Sequence, residues 1–202
     1  SQVRSQRCTL TRVGSPTRTI ACDATPEPSS TATRTKYAIP LTIKKSGAYQ
    51  FSVRIVLTSG TVLKALKRFT VLPGPAVRFS VTGLFDQTIA CDARVCPGDW
   101  VNDVARQIVK VIARDEYGNR ATGYTGTVVF DGYATTVSES TLDKGVGFFA
   151  VKPSRLELNQ FNNCATGVPA NQKYAALTVT DKDQPTIRGC QMIFYTLYFV
   201  LD

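Results

Sequence analysis

Six cysteines, Cys8, Cys22, Cys91, Cys96, Cys164 and Cys190, are the residues whose chemistry bounds this protein most tightly. Their number is even and their spacings are irregular. Only Cys91 and Cys96 lie close together, whereas a structural zinc site usually needs two close ligand pairs. Disulfides are therefore the favoured reading, and with them an oxidising, extracellular or cell-surface location. Six cysteines allow 15 connectivities; their distribution along the chain favours local pairs, Cys8 with Cys22, Cys91 with Cys96 and Cys164 with Cys190.

The other chemical boundary is the absence of histidine from all 202 residues. This removes the commonest general base near neutral pH, the usual Ser and Cys catalytic dyads and the commonest zinc ligand. A glycan-modifying enzyme working through carboxylates stays open as a class, but no carboxylate pair stands at a suitable spacing. Gly145-Val146-Gly147-Phe148-Phe149-Ala150 fits a dinucleotide-binding pattern in form, yet it lacks a preceding strand and a following helix. Asp181-Lys182-Asp183, with Asp115 or Asp143, is a conceivable calcium cluster; Lys182 and the lack of EF-hand spacing favour a solvated loop. The sequence thus predicts no catalytic residues, no cofactor and no metal.

Lys plus Arg total 24 against 15 Asp plus Glu, a net charge of +9. Residues 1–74 hold twelve basic side chains and only Asp23 and Glu27, a net of +10, so the remainder carries −1. Such asymmetry suits an anionic glycan, an acidic protein surface or a membrane surface; a merely solvated face is the competing reading. Nucleic acid is disfavoured, because no basic run exceeds two residues and no aromatic-basic stacking motif occurs. The longest apolar run, Met192 to Leu201, is too short to span a bilayer as a helix. Ser1-Gln2-Val3-Arg4 does not read as a signal peptide. Thr25, Ser29, Ser30, Thr31 and Thr33 lie in a Ser/Thr/Pro-rich stretch and are the candidate O-glycan carriers of a glycoprotein; a plain linker is the alternative.

What must position these residues is strands. Tyr49, Phe51, Val53, Ile55 and Leu57 alternate with more polar neighbours, the period of a half-buried strand. Further strand signals cover 62–72, 76–81, 108–114, 126–130, 146–151, 174–180 and 191–201, with Gly, Pro, Asn and Asp between them. Short strands punctuated in this way predict a β-sandwich protein. Pro73-Gly74-Pro75 divides the chain into modules 1–74 and 75–202. Thr19-Ile20-Ala21-Cys22-Asp23-Ala24 recurs as Thr88-Ile89-Ala90-Cys91-Asp92-Ala93, which argues for related modules.

The stretch from Val109 through Asp115-Glu116-Tyr117-Gly118-Asn119 to Gly123-Tyr124-Thr125-Gly126-Thr127 and Phe130 resembles bacterial-type immunoglobulin-like repeats, including filamin-like and invasin-like domains. Lys45 to Val53 and Phe69 to Pro75 are similar to the closing strands of a filamin-like repeat. The resemblance covers about half the chain. It implies an all-β protein of two immunoglobulin-like β-sandwich modules in tandem, used at surfaces for adhesion, spacing or assembly.

Two departures sharpen that expectation. The first module reads as strand only from Tyr37 to Leu72, short of a full set, so an incomplete sandwich completed by another chain is expected. The run Met192, Ile193, Phe194, Tyr195, Thr196, Leu197, Tyr198, Phe199, Val200 and Leu201 is apolar on both faces and is the candidate assembly strand. Together they predict a structural subunit or spacer of a surface fibril or filament, self-associating head-to-tail by strand addition. The competing readings are that this run is simply the last strand of its own module, and that the chain is a cell-adhesion ectodomain acting through loops around Trp100 and 159–172.

Overall fold

The computed structural model describes residues 3–22, 25–26, 37–83, 87–92, 107–131, 133–135, 139–153 and 173–200. Two compact units divide between Leu72 and Pro73. All described regular elements are strands.

Unit 1 contains β1 (Val3–Arg12), β2 (Arg18–Ile20), β3 (Thr25–Pro26), β4 (Tyr37–Ala38), β5 (Gly47–Leu57) and β6 (Val62–Val71). Four of them form an antiparallel sheet in the order β2-β1-β5-β6, and β3 pairs with β4. The alternation in β5 sets one apolar face, which Cys8, Leu10 and Ile20 continue on one side and Leu63, Ala65 and Phe69 on the other. A tight turn joins β5 to β6: Leu57 N–H donates to Thr61 O, and Gly60 takes the φ of +85° that the reversal requires.

The sequence predicts no strand before Tyr37 in this unit, yet β1 is ten residues long and central. The positions that share the apolar face, Gln6, Cys8, Leu10 and Arg12, include only two apolar residues, and a bulge interrupts the register between Val3 and Ser5. Neither feature leaves a clean period of two. Conversely, Ile39 to Ser46 form no strand.

Unit 2 contains β7 (Arg78–Thr82), β8 (Gln87–Asp92), β9 (Gln107–Arg114), β10 (Thr127–Asp131), β11 (Tyr133–Thr135), β12 (Glu139–Thr141), β13 (Val146–Pro153), β14 (Lys173–Asp181) and β15 (Arg188–Val200). One sheet runs β11-β13-β9-β7 and the other β12-β10-β14-β15-β8. With β7 as strand A, β11-β13-β9-β7 corresponds to the D-E-B-A sheet of an immunoglobulin-type sandwich and β10-β14-β15 to its C-F-G strands, with β12 and β8 added at the two edges. All described pairings are antiparallel except β8 with β15, which run parallel from Gln87↔Tyr195 to Asp92↔Val200. Phe79, Val81, Val109, Val111, Ala113 and Val151 from the first sheet meet Val128, Leu177 and Val179 from the second, closed by Ala121, Leu142 and Ile187. Each fully buried aliphatic side chain contributes about 1.5–3 kcal/mol. Gly189 on β15 lies where a Cβ would strike the Phe79 carbonyl oxygen and carbonyl carbon of β7, so glycine lets the two sheets touch at that edge.

The repeated hexapeptide does not occupy equivalent places. Thr19 and Ile20 lie in β2, antiparallel to β1, whereas Thr88 to Asp92 lie in β8, parallel to β15. The sheet order carries the better correspondence: β2-β1-β5-β6 of unit 1 matches β12-β10-β14-β15 of unit 2.

Candidate functional site

The unit 1 sheet presents two faces of different chemistry. On the apolar face, Cys8 is fully buried and bonded to Cys22, which joins β1 to the segment leaving β2. A closed loop of this size corresponds to about 3 kcal/mol of stabilisation in the chain-entropy account. Tyr49 stacks on Phe69 at 5.9 Å between centroids and donates its hydroxyl to Lys45 O at 2.7 Å. Elsewhere this face is only half covered: Val53 and Ile55 are partly accessible, and Leu63 is 49% exposed.

The opposite face is polar and cationic. Arg7 on β1, Arg54 on β5 and Lys64 on β6 are direct cross-strand partners and form one row. The next row is Thr19, Thr9, Ser52 and Leu66, with Thr9 and Ser52 hydroxyls hydrogen-bonded at 2.6 Å. Beyond it, Arg68 donates to Gln50 at 3.3 Å. An open depression of about 550 Å³ lies over the first two rows. None of the described residues of this unit is acidic. The charge excess is legible in the sequence but this row is not, because register across three strands is invisible in sequence spacing; the one local signal is Arg54 at a polar position of the alternating β5.

In unit 2 the carboxylates that sequence chemistry raises are structural. Asp115, at the end of β9, accepts backbone N–H groups from Gly74 at 3.0 Å, Tyr117 at 3.0 Å and Asn119 at 2.8 Å, and the Asn119 amide at 2.8 Å. Burial alone would raise its carboxyl, but these donors outweigh it and hold Asp115 below the ordinary aspartate value. Gly118 takes positive φ in this turn, and Asn119 donates both its backbone N–H and its side-chain amide to the carboxylate. Asp181 accepts the Tyr124 hydroxyl and the N–H groups of Asp183 and Gln184, with the same result. Burial, and then the bond to Asp181, push the Tyr124 hydroxyl above the ordinary tyrosine range. Both carboxylates therefore hold turns. Among the described residues no group of three His, Cys, Asp or Glu side chains is placed to hold a metal. Gly145 to Ala150 lie in a tight turn and β13, the reverse of the strand-to-helix context that a dinucleotide loop requires.

The candidate assembly strand lies within β15, except for Leu201, which is outside the described residues. Met192, Ile193 and Phe194 pair with Ala176, Ala175 and Tyr174 of β14. Tyr195 meets Lys173 of β14 and Gln87 of β8, and Leu197, Tyr198, Phe199 and Val200 pair with Ile89, Ala90, Cys91 and Asp92 of β8. Cys190, on the same strand, is disulfide-bonded. Cys91 lies in β8, while Cys96 and Cys164 fall outside the described residues. Thr25 lies in β3, opposite Ala38; Ser29, Ser30, Thr31 and Thr33 lie outside the description, as do Trp100 and residues 159–172. No described helix is long and apolar enough to cross a membrane.

No family model and no curated protein matches this sequence. Among solved structures, the β-glucuronidase of Parabacteroides merdae is similar at 10% identity and a TM-score of 0.37, covering 94% of this chain and 20% of that one. β-Glucuronidase 3 of Bacteroides uniformis is similar at 12% identity and 0.34, covering 94% and 21%. The zebrafish RET cadherin-like domains 1 to 4 are similar at 9% and 0.27, covering 97% and 41%. This chain spans about a fifth to two fifths of those chains, and likenesses of this degree assign neither family nor function.

Proposed function

We propose that the chain is a non-enzymatic extracellular structural protein, a subunit or spacer of a surface filament assembled head-to-tail. The observation that carries this reading is the half-covered sheet of unit 1. Its strand order is the one that unit 2 buries beneath a complete opposing sheet, whereas the other described strands of unit 1, β3 and β4, are two residues each. An apolar sheet face exposed in this way is satisfied by strands from a neighbour. The resemblance to bacterial-type surface repeats and the oxidised cysteines support the same setting.

Donation of residues 192–201 is the less favoured route, since β15 is paired with both β14 and β8. The acceptor in this proposal is the outer edge of β6, ten residues with no partner among the described strands, together with the apolar face beside it. Lys64, Lys67 and Arg68 on β6 guard that edge against unspecific pairing. Negative-stain imaging of native material tests the proposal. Filaments with a regular subunit repeat support it; a monomer that binds a partner cell surface saturably would replace it with adhesion.

A further inference from the structure

We propose that the polar face of the unit 1 sheet is a binding site for an acidic polysaccharide carrying sulfate or carboxylate groups, centred on Arg7, Arg54 and Lys64. Like charges directly opposite one another on neighbouring strands destabilise a sheet. Two such pairings, Arg7↔Arg54 and Arg54↔Lys64, occur side by side. Among the described residues, Arg7 donates to the Thr19 hydroxyl at 3.4 Å and meets no acidic side chain. A row that repels itself is relieved by an external anion.

The shape of the face selects the ligand. Adjacent strands lie about 4.8 Å apart, so the row offers three cations at steps comparable to one pyranose residue of a linear chain. Arg7 and Arg54 supply planar forks that fit carboxylate or sulfate oxygens in pairs. The adjoining Thr9 and Ser52 hydroxyls suit sugar hydroxyls, and all four side chains line the same open depression. At the register positions of this face, from Ser5 to Thr11, Ala48 to Val56 and Val62 to Thr70, no aromatic residue occurs, so nucleic-acid bases would find no stacking platform. For an acidic polypeptide this face offers Leu66 and the Val56–Val62 pair as apolar anchors, against hydroxyl and amide partners along the rest of the rows.

Binding at this face does not require polymerisation, although Lys64 also lies on the β6 edge, and the full chain is the material to test. Binding is measured by calorimetry to dextran sulfate, polygalacturonate, neutral dextran and poly-L-glutamate at about 0.15 M salt. Dextran sulfate or polygalacturonate is expected to bind and neutral dextran is not; which anion binds better names the group recognised. The triple variant Arg7→Gln, Arg54→Gln, Lys64→Gln is expected to lose at least about tenfold in affinity while melting no lower than the parent, because the repulsion is gone. The triple Arg18→Gln, Lys44→Gln, Lys45→Gln removes the same charge and is expected to stay within about twofold. Equal losses in both triples would show diffuse charge and overturn the site. Tighter binding of poly-L-glutamate, or no binding of either anionic polysaccharide, would overturn it as well.

Discussion

Tyr124 donates its hydroxyl to the Asp181 carboxylate across 57 residues of sequence, fastening the segment before β10 to the end of β14. The Tyr124 ring meanwhile stands edge-on to Phe79 in the core, with centroids 5.5 Å apart. One side chain thus spans a polar turn and the apolar interior. Tyr124→Phe keeps the ring and removes the donor; it is expected to destabilise unit 2 by about 1–3 kcal/mol, as for a hydrogen bond to a charged group. Chemical denaturation of parent and variant measures this, and an unchanged midpoint would contradict it.

The two buried carboxylates make a pH prediction with a definite sign. Asp115 and Asp181 are each held below the ordinary aspartate value of 3.8. Their stabilisation of the fold is therefore fully present above that value and is lost as pH falls through the lower folded values. The melting temperature of unit 2 is expected to be nearly flat from about pH 5 to 7 and to drop below about pH 4. Asp115→Asn should shallow the acid decline while lowering stability at neutral pH. An acid limb of unchanged steepness in that variant would refute the assignment.

Gly189→Ala is expected to destabilise unit 2 by about 1–3 kcal/mol, the cost of overpacking. The added methyl meets the Phe79 backbone, which cannot move without shifting β7. Hydrogen exchange should report the loss first in β7 and β15, and a variant as stable as the parent would show that this approach is looser than described.

Cys8→Ser should weaken unit 1 by about 2–4 kcal/mol, with faster amide exchange in β1 and β2 and no change in the β9 and β14 core. Uniform loosening of both units would count against their independence.

Deleting residues 191–202 removes partners of both β14 and β8. The expected outcome is unfolding of unit 2. A folded monomer that no longer polymerises would instead restore the terminal strand as a donor.

How far these features could be read from sequence depends on what made each one local. β5 declares itself because Tyr49, Phe51, Val53, Ile55 and Leu57 alternate with more polar neighbours, and β9 and β13 because they are short, nearly continuous apolar runs; burial alternates in β9 although its apolar residues do not, with Gln107 buried and Ile108 exposed. The Asp115 turn is equally local, and its glycine and carboxylate behave as their types suggest. β1 escaped because exposed Gln6 and Arg12 stand on the same face as Cys8 and Leu10 and break the apolar alternation. The role of Asp181 escaped because Tyr124, which binds it, lies 57 residues earlier. Arg7, Arg54 and Lys64 form a row only once two registers are fixed, and no single strand encodes both.

The parallel pairing of β8 with β15 gives unit 2 a mechanical character. A pull toward the amino end of β8 and the carboxyl end of β15 drives the two strands past each other along their length. The pairings from Gln87↔Tyr195 to Asp92↔Val200 then bear the load together, in shear. An antiparallel hairpin peeled from its open end yields one bond at a time. A force applied to those two ends therefore meets all of these pairings at once, and the β8–β15 seam is expected to yield abruptly rather than bond by bond.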